Sequence, residues 1–187
     1  MSVSRLSRQS IQSGFPKQQS IWDGLTQPSA MDALSAITLG SSQNSINFNN
    51  IPQTYTHLQL RGIVQISSGA AQITSNFNND FSSSYFWHEL VGDGGSTSAG
   101  YSADTSMRTV YCNSSSNVYS VFIIDILDYS NVNKNTTLRT LTGIDTNGGG
   151  QVKLLSGLWN NTAAVTSFTM AGATFIQYSS FSLYGIK

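Results

Sequence analysis

The chain has 187 residues, enough for one domain with a sizeable core plus a tail, and its nine basic and nine acidic residues cancel. That balance excludes a global field toward nucleic acid or an acidic membrane. Charged residues make up 10%, against roughly 25% in ordinary soluble proteins, so Ser, Thr, Asn, Gln and Gly supply the polar surface and partner contacts are expected to be local and mostly uncharged.

Residues 1–34 are rich in Ser and Gln, contain Pro16 and Pro28, and sustain neither a helical nor a strand period. They read as an extended N-terminal anchoring arm. Leu6, Ile11, Phe15, Ile21, Trp22 and Leu25 stand too far apart to make a core of their own but suit separate pockets on a partner. Arg5, Arg8 and Lys17 precede the first acidic residue, Asp23, which gives the arm a basic start. Phe15, Ile21, Trp22, Leu25, Arg5 and Arg8 are therefore the candidate partner-binding residues. Residues 1–20 lack a continuous apolar signal-peptide core, and no run approaches the roughly 18 apolar residues of a membrane span, so a soluble protein made inside a cell is expected. Ser29 is a helix-cap candidate ahead of good helix formers, which predicts one helical turn over 29–34 as a hinge.

From residue 35 onward the pattern is that of strands bounded by Gly, Pro, Asn and Ser. They are expected near 37–39, 45–49, 56–66, 73–77, 85–91, 107–112, 118–127, 137–144, 152–159, 165–170 and 181–186. Roughly ten short strands with turn-rich connections predict an all-β fold, an antiparallel β-sandwich of jelly-roll type over 35–187. Two glycine-rich stretches, 92–101 and 145–150, read as long loops, and neither resembles a phosphate cradle leading into a helix.

Few residues suggest chemistry. Cys112 is the one cysteine, and alternation lets it point into a core. In 55–61, Tyr55, His57, Gln59 and Arg61 share one face while Thr56, Leu58 and Leu60 share the other, making His57 a half-exposed strand residue. His88 and Glu89 are strand neighbours that face opposite ways. Asp125 and Asp128 are the nearest carboxylate pair, but a spacing of three on a strand separates them, and Asp128 reads as opening a turn by bonding its own backbone. The oxygens of 76–80 lack the regular spacing of a calcium loop, and one cysteine with two distant histidines makes no zinc pair. No Gly-x-Ser-x-Gly elbow is present. The reading is a non-enzyme with no catalytic residue, metal or cofactor. Tyr85, Phe86, Trp87, Tyr101, Tyr111 and Tyr119 are first of all core candidates, with sugar stacking as the other use where a loop face exposes them.

Three stretches carry a resemblance: 8–17 (Arg-Gln-Ser-Ile-Gln-Ser-Gly-Phe-Pro-Lys) with Ile21-Trp-Asp-Gly, 51–62 (Ile-Pro-Gln-Thr-Tyr-Thr-His-Leu-Gln-Leu-Arg-Gly), and the ending 178–187 (Tyr-Ser-Ser-Phe-Ser-Leu-Tyr-Gly-Ile-Lys). Segments 77–80, 85–88, 124–134 and 156–160 follow the same pattern. Together they resemble small virion structural proteins of tailed bacteriophages of the cyanophage and aquatic-phage type. The resemblance implies a jelly-roll-like body displayed on a particle by its arm.

The leading expectation is thus a capsid decoration or cement protein of the virion, docked on other virion proteins through its arm. A homo-oligomer, with a trimer favoured, would multiply weak anchors at particle symmetry axes. The alternative is a tail fibre, spike or adaptor whose loops 92–101 and 145–150 bind a host-surface glycan. Neither reading involves nucleic acid or membrane. A depolymerase would need two inward carboxylates, which nine scattered acidic residues barely permit.

Overall fold

The computed structural model describes residues 30–187, and among these it has twelve β-strands and no helix. In chain order they are β1 (Met31–Thr38), β2 (Gln43–Phe48), β3 (His57–Val64), β4 (Ala70–Phe77), β5 (Tyr85–Gly92), β6 (Thr97–Asp104), β7 (Met107–Asn113), β8 (Ser120–Leu127), β9 (Thr136–Asp145), β10 (Gly150–Trp159), β11 (Phe168–Phe175) and β12 (Ser180–Ile186). Alternation sets their faces: in β3, Leu58, Leu60 and Val64 are fully buried while His57 and Gln59 are half-buried and Arg61 is exposed.

All pairings are antiparallel, in one eight-stranded sheet ordered β1-β12-β3-β8-β9-β10-β5-β6 and one four-stranded sheet ordered β2-β11-β4-β7. From β2 the chain crosses repeatedly between sheets, and β11 returns to insert between β2 and β4. In the larger sheet the meander β8-β9-β10 fills the gap between β3 and β5. This is the jelly-roll exchange of strands, β1-β12-β3-β8 facing β2-β11-β4-β7, with β9, β10, β5 and β6 extending the larger sheet beyond β8.

The core lies between the sheets. Phe77 packs its ring 5.4 Å from Trp159 and 5.5 Å from Phe168, and Tyr85 stacks on Trp159 at 6.5 Å. Such pairs add about 1 kcal/mol each beyond their buried area. At the other end Phe122, Phe181 and Phe175 form a chain of rings at 6.2 and 5.3 Å. Gly62 sits beneath Phe122, where any Cβ would lie 2.4 Å from the ring.

The structure corrects three expectations. Residues 31–34 are not a helical turn: they begin β1, which pairs along β12 from Met31↔Ile186 to Thr38↔Ser180. Backbone pairing on a ready sheet edge outweighs the helix propensity of Met, Ala and Leu. The stretch 92–101 is not a long loop, because a turn of 93–96 leads into β6, paired with β5 throughout. The last strand of the small sheet runs Phe168–Phe175, later than the 165–170 expected.

Candidate binding face

Four strands cover only part of eight. The small sheet's edge strand β7 packs beneath β5, β8, β9 and β10, so the opposite face of those strands has no covering layer within the described residues. That outer face is where the sequence departs most from inside-apolar, outside-polar patterning.

On β8, Phe122, Ile124 and Ile126 are buried, yet the outward neighbours Val121 and Ile123 are also aliphatic. Register aligns these with others across the sheet. One row runs Arg61, Ile123, Leu141, Leu154, Leu90 and Ala99 across six strands. The next runs Ile63, Val121, Gly143, Val152 and Gly92. Ile63, Leu90, Val121, Leu141, Val152 and Leu154 are each 49–58% exposed. Isolated exposed aliphatics are ordinary, whereas a contiguous two-row ladder is the kind of patch that interaction surfaces carry. Gly143 leaves a hole in it, an apolar groove of about 290 Å³ walled by Val121, Ile123, Leu141 and Val152.

Toward one end the groove opens into a trough of about 570 Å³ between the β5–β6 and β9–β10 hairpins, with Tyr119 on its wall. The two glycine-rich segments singled out in the sequence therefore meet at one site. Asp93 fixes the first turn by accepting bonds from the Gly95 and Ser96 amides (2.9 and 2.6 Å) and the Ser96 hydroxyl, and those donors hold its carboxyl below the usual range. Asp145 accepts from the Asn147 amide at 2.8 Å. Gly150, at φ +133°, has the Ile144 carbonyl oxygen 2.2 Å from where a Cβ would be, so no side chain fits there.

Beyond the aliphatic rows the face turns polar and aromatic. Asp125 accepts from Gln59 (2.6 Å) and Arg139 (3.0 Å), and His88 stacks on the exposed Tyr101 at 5.8 Å, with Phe86 nearby on the same strand. Of the six candidate sugar-stacking aromatics, Tyr85 and Trp87 are core residues, Tyr111 and Tyr119 are half-buried, and Phe86 and Tyr101 are exposed.

The other candidates have structural surroundings. His57 Nδ1 accepts the Asp128 amide at 2.9 Å, and the Asp128 carboxylate pairs with Lys134, which holds its carboxyl below the usual range. Asp128 does open a turn, through its own carbonyl to the Asn131 amide. Its side chain serves the ion pair instead of bonding its own backbone as expected. Glu89 points inward, away from His88, to meet Lys153 and Arg108. In 76–80, Asn78 Oδ1 accepts the Thr166 and Ser167 amides, and four protein donors reach the Asp80 carboxylate. Cys112 is buried without a disulfide. The arm candidates Arg5, Arg8, Phe15, Ile21, Trp22 and Leu25 lie outside the described residues.

No protein-family model, curated protein or solved structure matches this chain.

The aliphatic outer face was not singled out in the sequence, although a signal is present. The run Val121-Phe-Ile-Ile in β8 does not alternate, which is the pattern of a strand covered on both faces.

Proposed function

We propose that this chain is a non-enzymatic structural protein of a tailed-phage virion, a decoration or cement subunit of the capsid. The observation that carries the reading is the aliphatic ladder on the outer face of the large sheet, charged only at Arg61 on its end, which suits permanent burial in an assembly better than display to solvent. The resemblance of its segments to phage virion proteins supplies the setting, and the spaced anchors Phe15, Ile21, Trp22 and Leu25, with Arg5 and Arg8, supply contacts to other virion proteins. A buried Trp or Phe contributes roughly 1.5–3 kcal/mol, so two or three anchors offset part of the ordering cost of the segment that carries them.

The test is binding of the purified full-length chain to particles lacking it, with bound copies located by electron microscopy. Copies on the shell, reduced at least about tenfold by Phe15→Ala with Trp22→Ala, are expected. Absence of binding anywhere on the particle overturns the reading.

A second reading, a tail fibre, spike or adaptor that holds a host-surface glycan, is favoured by the trough between the two glycine hairpins. Its rim combines amide groups unobstructed by side chains with Tyr119, a combination that suits a sugar ring. Binding confined to the tail, together with retention on host polysaccharide that Tyr119→Ala abolishes, would select it.

A further inference from the structure

We infer that the outer face of the eight-stranded sheet is an interface between copies of this chain. This deepens the reading of the protein as an assembly subunit by naming the partner of that face, and three observations point to a second copy.

The first is shape. Sheets twist with a fixed hand, and two of them pack without gaps only when their twists match, at about 30° between strand directions. An identical sheet meets that requirement by construction. The face also carries both halves of a fit: Gly143 leaves the groove between Val121 and Val152, while Leu154 and Leu90 stand proud in the adjoining row. In a two-fold arrangement the leucines of each copy enter the groove of the other.

The second is charge. The two aliphatic rows hold one charged residue, Arg61, at one end, and the chain as a whole has net charge +0. Like copies therefore approach without repulsion, and no opposite charge on a foreign partner is called for.

The third is area. Six strands at about 4.8 Å spacing, with the two aliphatic rows and the polar rows beside them that carry the mutually paired Asp125 and Arg139, give a face on the order of 600 Å². With the flanking hairpins this approaches the roughly 800 Å² per partner of a standard interface.

The test uses the full-length chain in the absence of any particle, so its failure is separable from failure of the virion assignment. Light scattering on wild type at about 10 µM should give a dimer of the 20.2 kDa chain through this face, and Leu141→Asp with Leu154→Asp should give a monomer with an unchanged circular-dichroism spectrum. Both positions are half exposed, so neither change opens the core. As a readout that spares the packing, Leu154→Cys should react with maleimide at least about tenfold more slowly at high than at low protein concentration. A monomeric wild type overturns the inference, as does an oligomer that survives the double substitution. Slow labelling independent of concentration also overturns it and assigns the face to the chain's own N-terminal segment.

Discussion

Lys153 Nζ lies 3.2 Å from Glu89 Oε2 in the space between the sheets, with the lysine side chain 6% and the glutamate 11% exposed. Arg108 approaches the other carboxylate oxygen at 3.5 Å while lying over the Trp87 ring, and Lys153 lies over Tyr111. Two cations thus share one anion, with Lys153 and Glu89 nearly dry and Arg108 37% exposed. Removing the anion leaves Lys153 buried without compensation, which costs about 3 kcal/mol or more. Glu89→Ala is expected to lower stability by that amount in urea denaturation, whereas Lys153→Met, which keeps the volume and removes the charge, should cost less. Equal losses for the two would show that Arg108 does not compensate Glu89 once Lys153 is gone.

Gly62 and Gly40 make a controlled comparison. A methyl at Gly62 would meet Phe122 at 2.4 Å and the Ser180 carbonyl oxygen at 2.6 Å, while Gly40 has nothing within 4 Å. The ring could turn, but the carbonyl belongs to the β3–β12 pairing and cannot retreat without breaking it. Gly62→Ala should therefore destabilise by about 2 kcal/mol through overpacking, and Gly40→Ala by less than about 0.5 kcal/mol. Urea midpoints for the two variants check this directly.

The contrast between legible and hidden elements follows from what local sequence encodes. β3 alternates, so Leu58 and Leu60 declare their face unaided, whereas β9 buries Thr136, Thr140 and Thr142 and turns Leu141 outward. β6, with sequence Thr-Ser-Ala-Gly-Tyr-Ser-Ala-Asp, has almost no apolar pattern and is a strand because β5 offers it a complete ladder of partners. β1 is hidden for the converse reason, since its Met, Ala and Leu read as helix until the β12 edge is in place. The two glycine hairpins were visible as turns, but their meeting at one trough depends on the order β9-β10-β5-β6, which no local signal specifies. The aliphatic face needed both registers and sheet order, because Ile63, Leu141 and Leu90 are far apart in the chain.

Cys112 is buried at 0% exposure, and burial pushes its thiol up to about 12. Because thiolate is the reactive form, the folded protein should react with a thiol reagent at neutral pH at least about 100-fold more slowly than free cysteine. Adding denaturant should release one reactive thiol per chain, matching the one cysteine in the sequence. Rapid labelling in native buffer would show that β7 opens locally, and that the sandwich is looser at this edge strand than its packing indicates.

Asp80 carries the clearest pH signature. Its carboxylate accepts the Ser82 hydroxyl (2.6 Å), the Trp159 indole N–H (2.7 Å), the Ser82 amide (2.9 Å) and the Ser84 hydroxyl (2.8 Å), and these donors hold it far below its ordinary value of 3.8. A depressed folded-state value means that the unfolded chain takes up the proton first, so the stability Asp80 provides is complete above the unfolded value and drains away as pH falls below it. The bond to Trp159 ties this turn to the aromatic cluster of the core, so its loss should reach the whole fold. Asp80→Asn should therefore be less stable than wild type at pH 7, and the difference should shrink steadily between about pH 4 and about pH 2 as wild type loses what the variant never had. Denaturant midpoints for both proteins across that range provide the check. A gap that stays constant with pH would mean that the asparagine disrupts the turn by shape alone, and that the charge on Asp80 contributes nothing to holding β10 against it.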